Sequence, residues 1–338
     1  MIKDSSLKME NEMIEQSYKD NTSVKTKMVK DILECDTKDE TGLNDFQQLP
    51  TEDFVAIPRV GINRFRLPIE FTNKFGVTRS HDCEASMYVN LEANKNGVSM
   101  SRLCTILQSV ATTDKVNSEF FKNVLRRYRI ELADEADKEL INTAHLKLRF
   151  KFPVKQKSLK SDNWGWQYYP VILEAKESKE KGFQFFMTLT YEYSSTCPCS
   201  LSMAKQYEQE YAAGKTEEGV GIGVPHSQRS KMSITVQVNP EREFFIEDLV
   251  LLVREAIPTE TQSLVKRVDE QAFAILNGTH PMFVEHASTR ITKVLNREEE
   301  LIFDWLVELE HIESLHSHNA AAVVYKGIEN GLRADTIF

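Results

Sequence analysis

Cysteine is scarce in this chain. Five residues, at 35, 83, 104, 197 and 199, form an odd, scattered set among 338 positions, which excludes a disulfide-built scaffold. No apolar run reaches the roughly 18 residues of a membrane-spanning helix. The N-terminus lacks the apolar stretch of a secretory signal. A cytoplasmic protein with no membrane contact is expected. Basic excess is also missing. There are 42 Lys and Arg against 51 Asp and Glu, so a broad basic face for nucleic acid is not expected. An anionic small substrate would need a local basic pocket. Residues 1–45 have one aromatic, Tyr18, among many Lys, Glu, Asp, Ser and Thr. They are expected to form a mobile polar tail, with the globular part starting near Phe54.

Hydrophobic residues make up 41% of the chain, enough for a sizeable core. Their spacing switches in an orderly way. Phe65, Leu67, Ile69 and Phe71 alternate, as do Cys83, Ala85, Met87, Val89 and Leu91. These are strands with one buried face. Spacings of three and four predict helices over Met100–Thr112 and Ser118–Leu132. Strands follow at Leu146–Val154 and Tyr168–Ala175. The pattern then repeats: strands at Phe183–Tyr193 and Met232–Val238, helices at Phe245–Ala256, Thr261–Leu276 and Pro281–Leu295, and strands at Leu301–Leu309 and Ala320–Tyr325. Two strands, a run of helices and two more strands, twice, predict an α+β protein with two units, 46–178 and 179–338. In each, helices cover one face of an antiparallel sheet. The opposite face is expected to be apolar in places and buried against a neighbour.

Several segments could carry chemistry. Cys197-Pro198-Cys199 follows the long Phe183–Tyr193 strand. Paired thiols suit soft and borderline metal ions or redox work, although two buried small residues at a strand end would look the same. Pro225-His226-Ser227-Gln228-Arg229-Ser230-Lys231 precedes the next strand. A hairpin would bring His226 back to Cys197, and Arg229 and Lys231 would share a strand face fit for phosphate. Glu313-Ser314-Leu315-His316-Ser317-His318 offers two imidazoles on one side of an extended chain. Arg267-Val268-Asp269-Glu270 and Glu285 would by themselves be solvated helix charges.

Together these motifs resemble the type IB GTP cyclohydrolase I family. The resemblance runs from about Pro50 to Lys326. It is carried in order by Val60-Gly61-Ile62-Asn63-Arg64-Phe65-Arg66-Leu67-Pro68-Ile69, Met100-Ser101-Arg102, Cys197-Pro198-Cys199-Ser200, Pro225-His226-Ser227-Gln228-Arg229, Asp269-Glu270 and Glu313-Ser314-Leu315-His316-Ser317-His318-Asn319-Ala320. It implies tandem tunnelling-fold units, a homo-oligomer with a tetramer favoured, and one divalent metal (Mn, Zn or Fe) at a site between subunits. It makes Cys197, Glu270 and His316 the metal ligands and His226 and His318 acid/base groups or alternative ligands. Cys197 then has a catalytic role. Glu313 would support His316, with Cys199 beside it, and Glu285 would grip the guanine edge. Arg102, Arg229 and Lys231 are the candidate contacts to GTP. The implied reaction opens the imidazole ring of GTP, releases formate and gives 7,8-dihydroneopterin triphosphate. Two departures are Ser99, where the family often has His, and a longer loop over Ser200–Val224. A relative forming a dihydroneopterin cyclic phosphate and a non-catalytic purine or pterin binder are the alternatives. His-x-His and Cys-Pro-Cys argue against a nitrile-reducing relative.

Overall fold

The computed structural model describes residues 27–38, 41–48, 55–93, 96–111, 115–132 and 141–334. They fall into two compact units. One comprises the described residues up to Val60 together with Asn90–Ser99, and the other Gly61–Val89 with Met100 onward. In the first, residues 27–33 are helical, Lys38 bridges to Asn44, and Gln47 Nε2 donates to Val98 O at 3.4 Å. Cys35 is buried there, so structure begins upstream of the expected tail boundary. Phe54 lies outside the described residues.

The chain then runs β1 (Ile57–Thr72), β2 (Thr78–Leu91), α1 (Met100–Ala111), α2 (Ser118–Glu131), β3 (Thr143–Lys157) and β4 (Trp164–Ser178). It continues with β5 (Gly182–Thr196), α3 (Pro198–Ala212), β6 (Ser227–Val238), α4 (Ile246–Ala256), α5 (Arg267–Thr279), α6 (Val284–Leu295), β7 (Ile302–His311) and β8 (Ala320–Tyr325). The class is α+β, as the alternations predict. All eight strands join one sheet in sequence order, and each pairing from β2 to β8 is antiparallel.

Register shows how the helices are seated. Ala85, Leu148, Leu173, Met187, Val236 and Trp305 are successive cross-strand partners, and all are buried. Partners in an antiparallel ladder share a face, so one face is apolar across six strands. Helix α2 packs on β3 and β4, α4 on β5, and α6 on β7 and β8. Helix α2 turns Phe120, Phe121, Val124, Leu125 and Tyr128 inward, a stripe at helical spacing. Burying such a side chain stabilises by about 1.5–3 kcal/mol. Truncating Phe121 to Ala would cost about 3–5 kcal/mol.

One expectation is refined and two change. First, the opposite sheet face is apolar in places, as expected: Ile172, Phe186 and Leu306 lie on it by register, with the exposed Trp164, Trp166 and Tyr168. Between them it is charged and hydroxylated, with Lys147 on Glu174 (2.9 Å), Arg149 on Glu84 (2.9 Å) and Thr188 beside Thr235 (2.9 Å). Second, the expected loop over Ser200–Val224 contains α3. Pro198 stands in its first turn, where a missing N–H costs nothing. No residue of α3 is buried, so it leaves no apolar periodicity in the sequence. Third, α5 starts at Arg267 rather than Thr261. Thr261 N–H donates to Glu192 O at 3.1 Å and Ser263 N–H to Gln156 Oε1 at 2.9 Å, so this stretch runs extended along the sheet.

Candidate active site

The helix-covered face changes character at the Thr196 end of β5. One row across it, Tyr191–Met232–Leu309, is followed by Tyr193–Ser230–His311 and then by Ser195 opposite Gln228. The last rows are polar, and the connections beyond them carry Cys197, His226 and Glu313.

Pairing of β5 with β6 closes the 29-residue gap between Cys197 and His226. Thr196 faces Ser227, and Cys197 N–H donates to His226 O at 3.2 Å. Cys197 stands just before α3 in an extended conformation, while Cys199 is in the helix and exposed. His226 N–H donates to Ser200 Oγ at 3.2 Å. The His226 ring sets Nδ1 3.1 Å from Gln228 Oε1, and Gln228 Nε2 donates to Glu313 Oε1 at 3.1 Å. Glu313 Oε2 is buried without a hydrogen-bond partner, 3.7 Å from His226 Nδ1. A buried carboxylate oxygen left bare is costly, and such an atom marks a place for a ligand, water or ion.

One row inward, Tyr193 Oη and His311 Nε2 are 2.9 Å apart. Burial pushes the His311 imidazole down to about 4, and the attraction of the Glu285 carboxylate opposes this. Glu285 lies in the first turn of α6. Just ahead of that helix, Met282 N–H donates to Thr196 O at 3.0 Å. Glu285 is therefore brought to the same end of β5 as Cys197.

Glu270 is exposed in the first turn of α5. That turn is anchored by its neighbour Asp269, which is buried and accepts from Lys160 N–H (2.7 Å), Ser161 N–H (2.8 Å), Ser161 Oγ (2.6 Å) and Lys266 N–H (2.8 Å). Burial raises the Asp269 carboxyl, but these four donors outweigh it and hold it well below the usual carboxylate range. His316 and His318 are exposed, and their rings stack at 5.0 Å and 13°. Residues 314–318 form bends rather than a strand, so the rings meet by chain curvature and not by alternation. Arg229 and Lys231 lie on the open sheet face, opposite to Gln228, and Arg229 Nη1 is 3.4 Å from Glu192 Oε2. Arg102 is exposed in α1, with Nη1 donating to Glu131 O at 3.4 Å.

The profile of type I GTP cyclohydrolase folE2 matches residues 43–322. The chain belongs to that family. GTP cyclohydrolase FolE2 of Cereibacter sphaeroides (strain ATCC 17025 / ATH 2.4.3) is 37% identical over 295 residues, 85% of this chain and 76% of the relative. The FolE2 of Dinoroseobacter shibae is 39% identical over 276 residues, 80% and 70% of the two chains. Among solved structures, uricase from Arthrobacter globiformis superposes with a TM-score of 0.46 at 9% identity, covering 82% of this chain and 95% of that one.

As a FolE2-family chain it can be tested for a metal site from its own residues. His226 and the bare Glu313 oxygen lie together, and Cys197 joins them through its backbone; sulfur, nitrogen and oxygen are donor types that suit a borderline divalent ion. Among the described residues of the single chain, no three His, Cys, Asp or Glu side chains converge as a metal-ligating group. The donor types fit such an ion. Tyr193 carries no sequence signal beyond its inward place in an alternating strand, and Gln228 and Ser230 stand in the His226 motif without showing their neighbours; strand register supplies those, His311 included.

Proposed function

We propose that this chain is a metal-dependent type IB GTP cyclohydrolase I that hydrolyses GTP at C8 and yields 7,8-dihydroneopterin triphosphate and formate. The observation that carries the proposal is the meeting of Cys197, His226, Gln228 and Glu313 at one end of β5 and β6 in a FolE2-family chain. We assign Cys197, Glu270 and His316 as ligands of one divalent ion, Mn, Zn or Fe. When bound, the ion would act as a Lewis acid that makes water a stronger nucleophile near neutral pH. His226 and His318 move protons between water and the purine nitrogens, work suited to imidazole. Glu285 accepts from the N–H edge of guanine, and Arg102, Arg229 and Lys231 hold phosphate oxygens.

Opposite placement supports a site shared between copies. Glu285 stands over the helix-covered face and Arg229 and Lys231 on the open one. One GTP bound flat on either face would not reach both sets from one chain. A homo-oligomer, which we take to be a tetramer, would complete the site and bring Glu270 and His316 to a neighbour's Cys197. The test is to incubate metal-loaded protein with GTP and assay formate, and fluorescent neopterin after oxidation. Both products in equal amounts are expected. Binding of GTP without formate would make the protein a non-catalytic purine binder, and a cyclic phosphate product would place it with the alternative cyclohydrolases.

A further inference from the structure

Gln228 is 8% exposed and stands between two ionisable groups. A carboxamide has one accepting end and one donating end. The Glu313 carboxylate only accepts, so the NH2 end must face it, at 3.1 Å. The carboxamide oxygen is left facing His226 Nδ1, also at 3.1 Å. A hydrogen bond to that oxygen requires Nδ1 to carry the proton, and a neutral imidazole then keeps its lone pair on Nε2. Turning the carboxamide over would set its oxygen against Glu313 Oε1 and lose the carboxylate bond. Polarity is thus passed from Glu313 through Gln228 to the ring.

We infer that Gln228 is a positioning residue: clamped by Glu313, it holds His226 as the Nδ1–H tautomer and reserves Nε2 as an acceptor for a proton or a divalent cation. Both uses need a lone pair on a defined nitrogen, and outer partners commonly fix metal-binding or proton-moving imidazoles in this way. In water the Nε2–H tautomer of histidine is the favoured one, so the clamp reverses a natural preference. This rests on placing His226 in the active site, and not on GTP being the substrate.

The test uses the full-length, metal-free protein labelled with ¹⁵N in its histidine rings. His226 signals are assigned by their loss in His226→Gln. Above neutral pH, wild-type Nδ1 should show the pyrrole-type shift and Nε2 the pyridine-type shift. Gln228→Leu should move the ring toward Nε2–H and weaken Zn²⁺ binding on the order of 10- to 100-fold. The exchange Gln228→Glu with Glu313→Gln keeps an acceptor facing His226 and a donor beside it, so it should return the wild-type ring spectrum. A wild-type ring protonated on Nε2 would overturn the clamp, as would an unchanged spectrum in Gln228→Leu. If Gln228→Leu does not fold, the exchange variant still decides, since Nε2–H there is equally fatal. A protein that shows the clamp but releases no formate would sink the GTP assignment and leave the clamp standing.

Discussion

The Tyr193 hydroxyl and His311 Nε2 sit 2.9 Å apart, and neither residue is more than 2% exposed. The two belong to strands separated by β6, with Ser230 as the residue between them. Their contact spans the floor of the candidate site, one row beneath Gln228. Burial disfavours the charged form of this imidazole.

Removing one partner should reveal what the contact contributes. Tyr193→Phe leaves a buried ring nitrogen without its bond, which costs about 1–3 kcal/mol. Chemical denaturation should show a lower midpoint with an unchanged slope. An equally stable variant would mean that water replaces the hydroxyl.

Acid should act through the same histidine. Its folded value of about 4 lies below the roughly 6.5 of an unfolded histidine. Between those values the unfolded chain binds the proton and the folded chain does not. The stability is therefore fully present above about pH 6.5 and is lost as pH falls toward 4. Melting temperatures of the wild type should drop through this window more steeply than those of His311→Gln. Parallel curves for the two proteins would exclude His311 as the responsible group.

The two thiols should separate cleanly. Cys197 is adjacent to His226 through the backbone, whereas Cys199 is exposed within α3. Cys197→Ala is expected to lower bound metal and formate release by on the order of 100-fold or more, beyond what loss of an outer partner does. Cys199→Ala should lose less of both. Metal content and product assays on the pair check this, and full activity with retained metal in Cys197→Ala would refute the proposed centre.

Asp269 should matter more than its exposed neighbour Glu270 for stability. Asp269→Ala strands four donors on Lys160, Ser161 and Lys266. Hydrogen exchange should speed up both at residues 158–163 and in the first turn of α5, whereas Glu270→Ala should leave exchange unchanged and affect metal. Because the Asp269 carboxyl is held low, its contribution is present above about pH 3.9, the unfolded value, and fades as pH drops below that toward the folded value. Wild-type protection at these amides should therefore persist through mildly acid pH.

The strands were legible because inward positions such as Leu146, Leu148 and Phe150 alternate without a break, and burial follows them. Helix α2 was legible for the same reason at another period. Helix α3 was hidden because it touches no core, and without a buried stripe a helix leaves only propensity behind. The meeting of Cys197 and His226 could be foreseen from the hairpin, since strand pairing alone brings the ends together. The clamp through Gln228 could not, because it depends on β7 lying beside β6 and returning Glu313 to that end. Asp269 and Glu270 read as two similar helix charges. The tip of a distant hairpin and the helix's own N-cap N–H distinguish them.

That hairpin tip bears on how the molecule is made. Lys160 and Ser161, between β3 and β4, grasp Asp269 across 109 and 108 positions of chain. During synthesis the tip leaves the ribosome well before α5 exists. A contact this far apart in sequence carries a loop-closure cost that local turns do not, so the turn bearing Glu270 depends on residues made more than a hundred positions earlier.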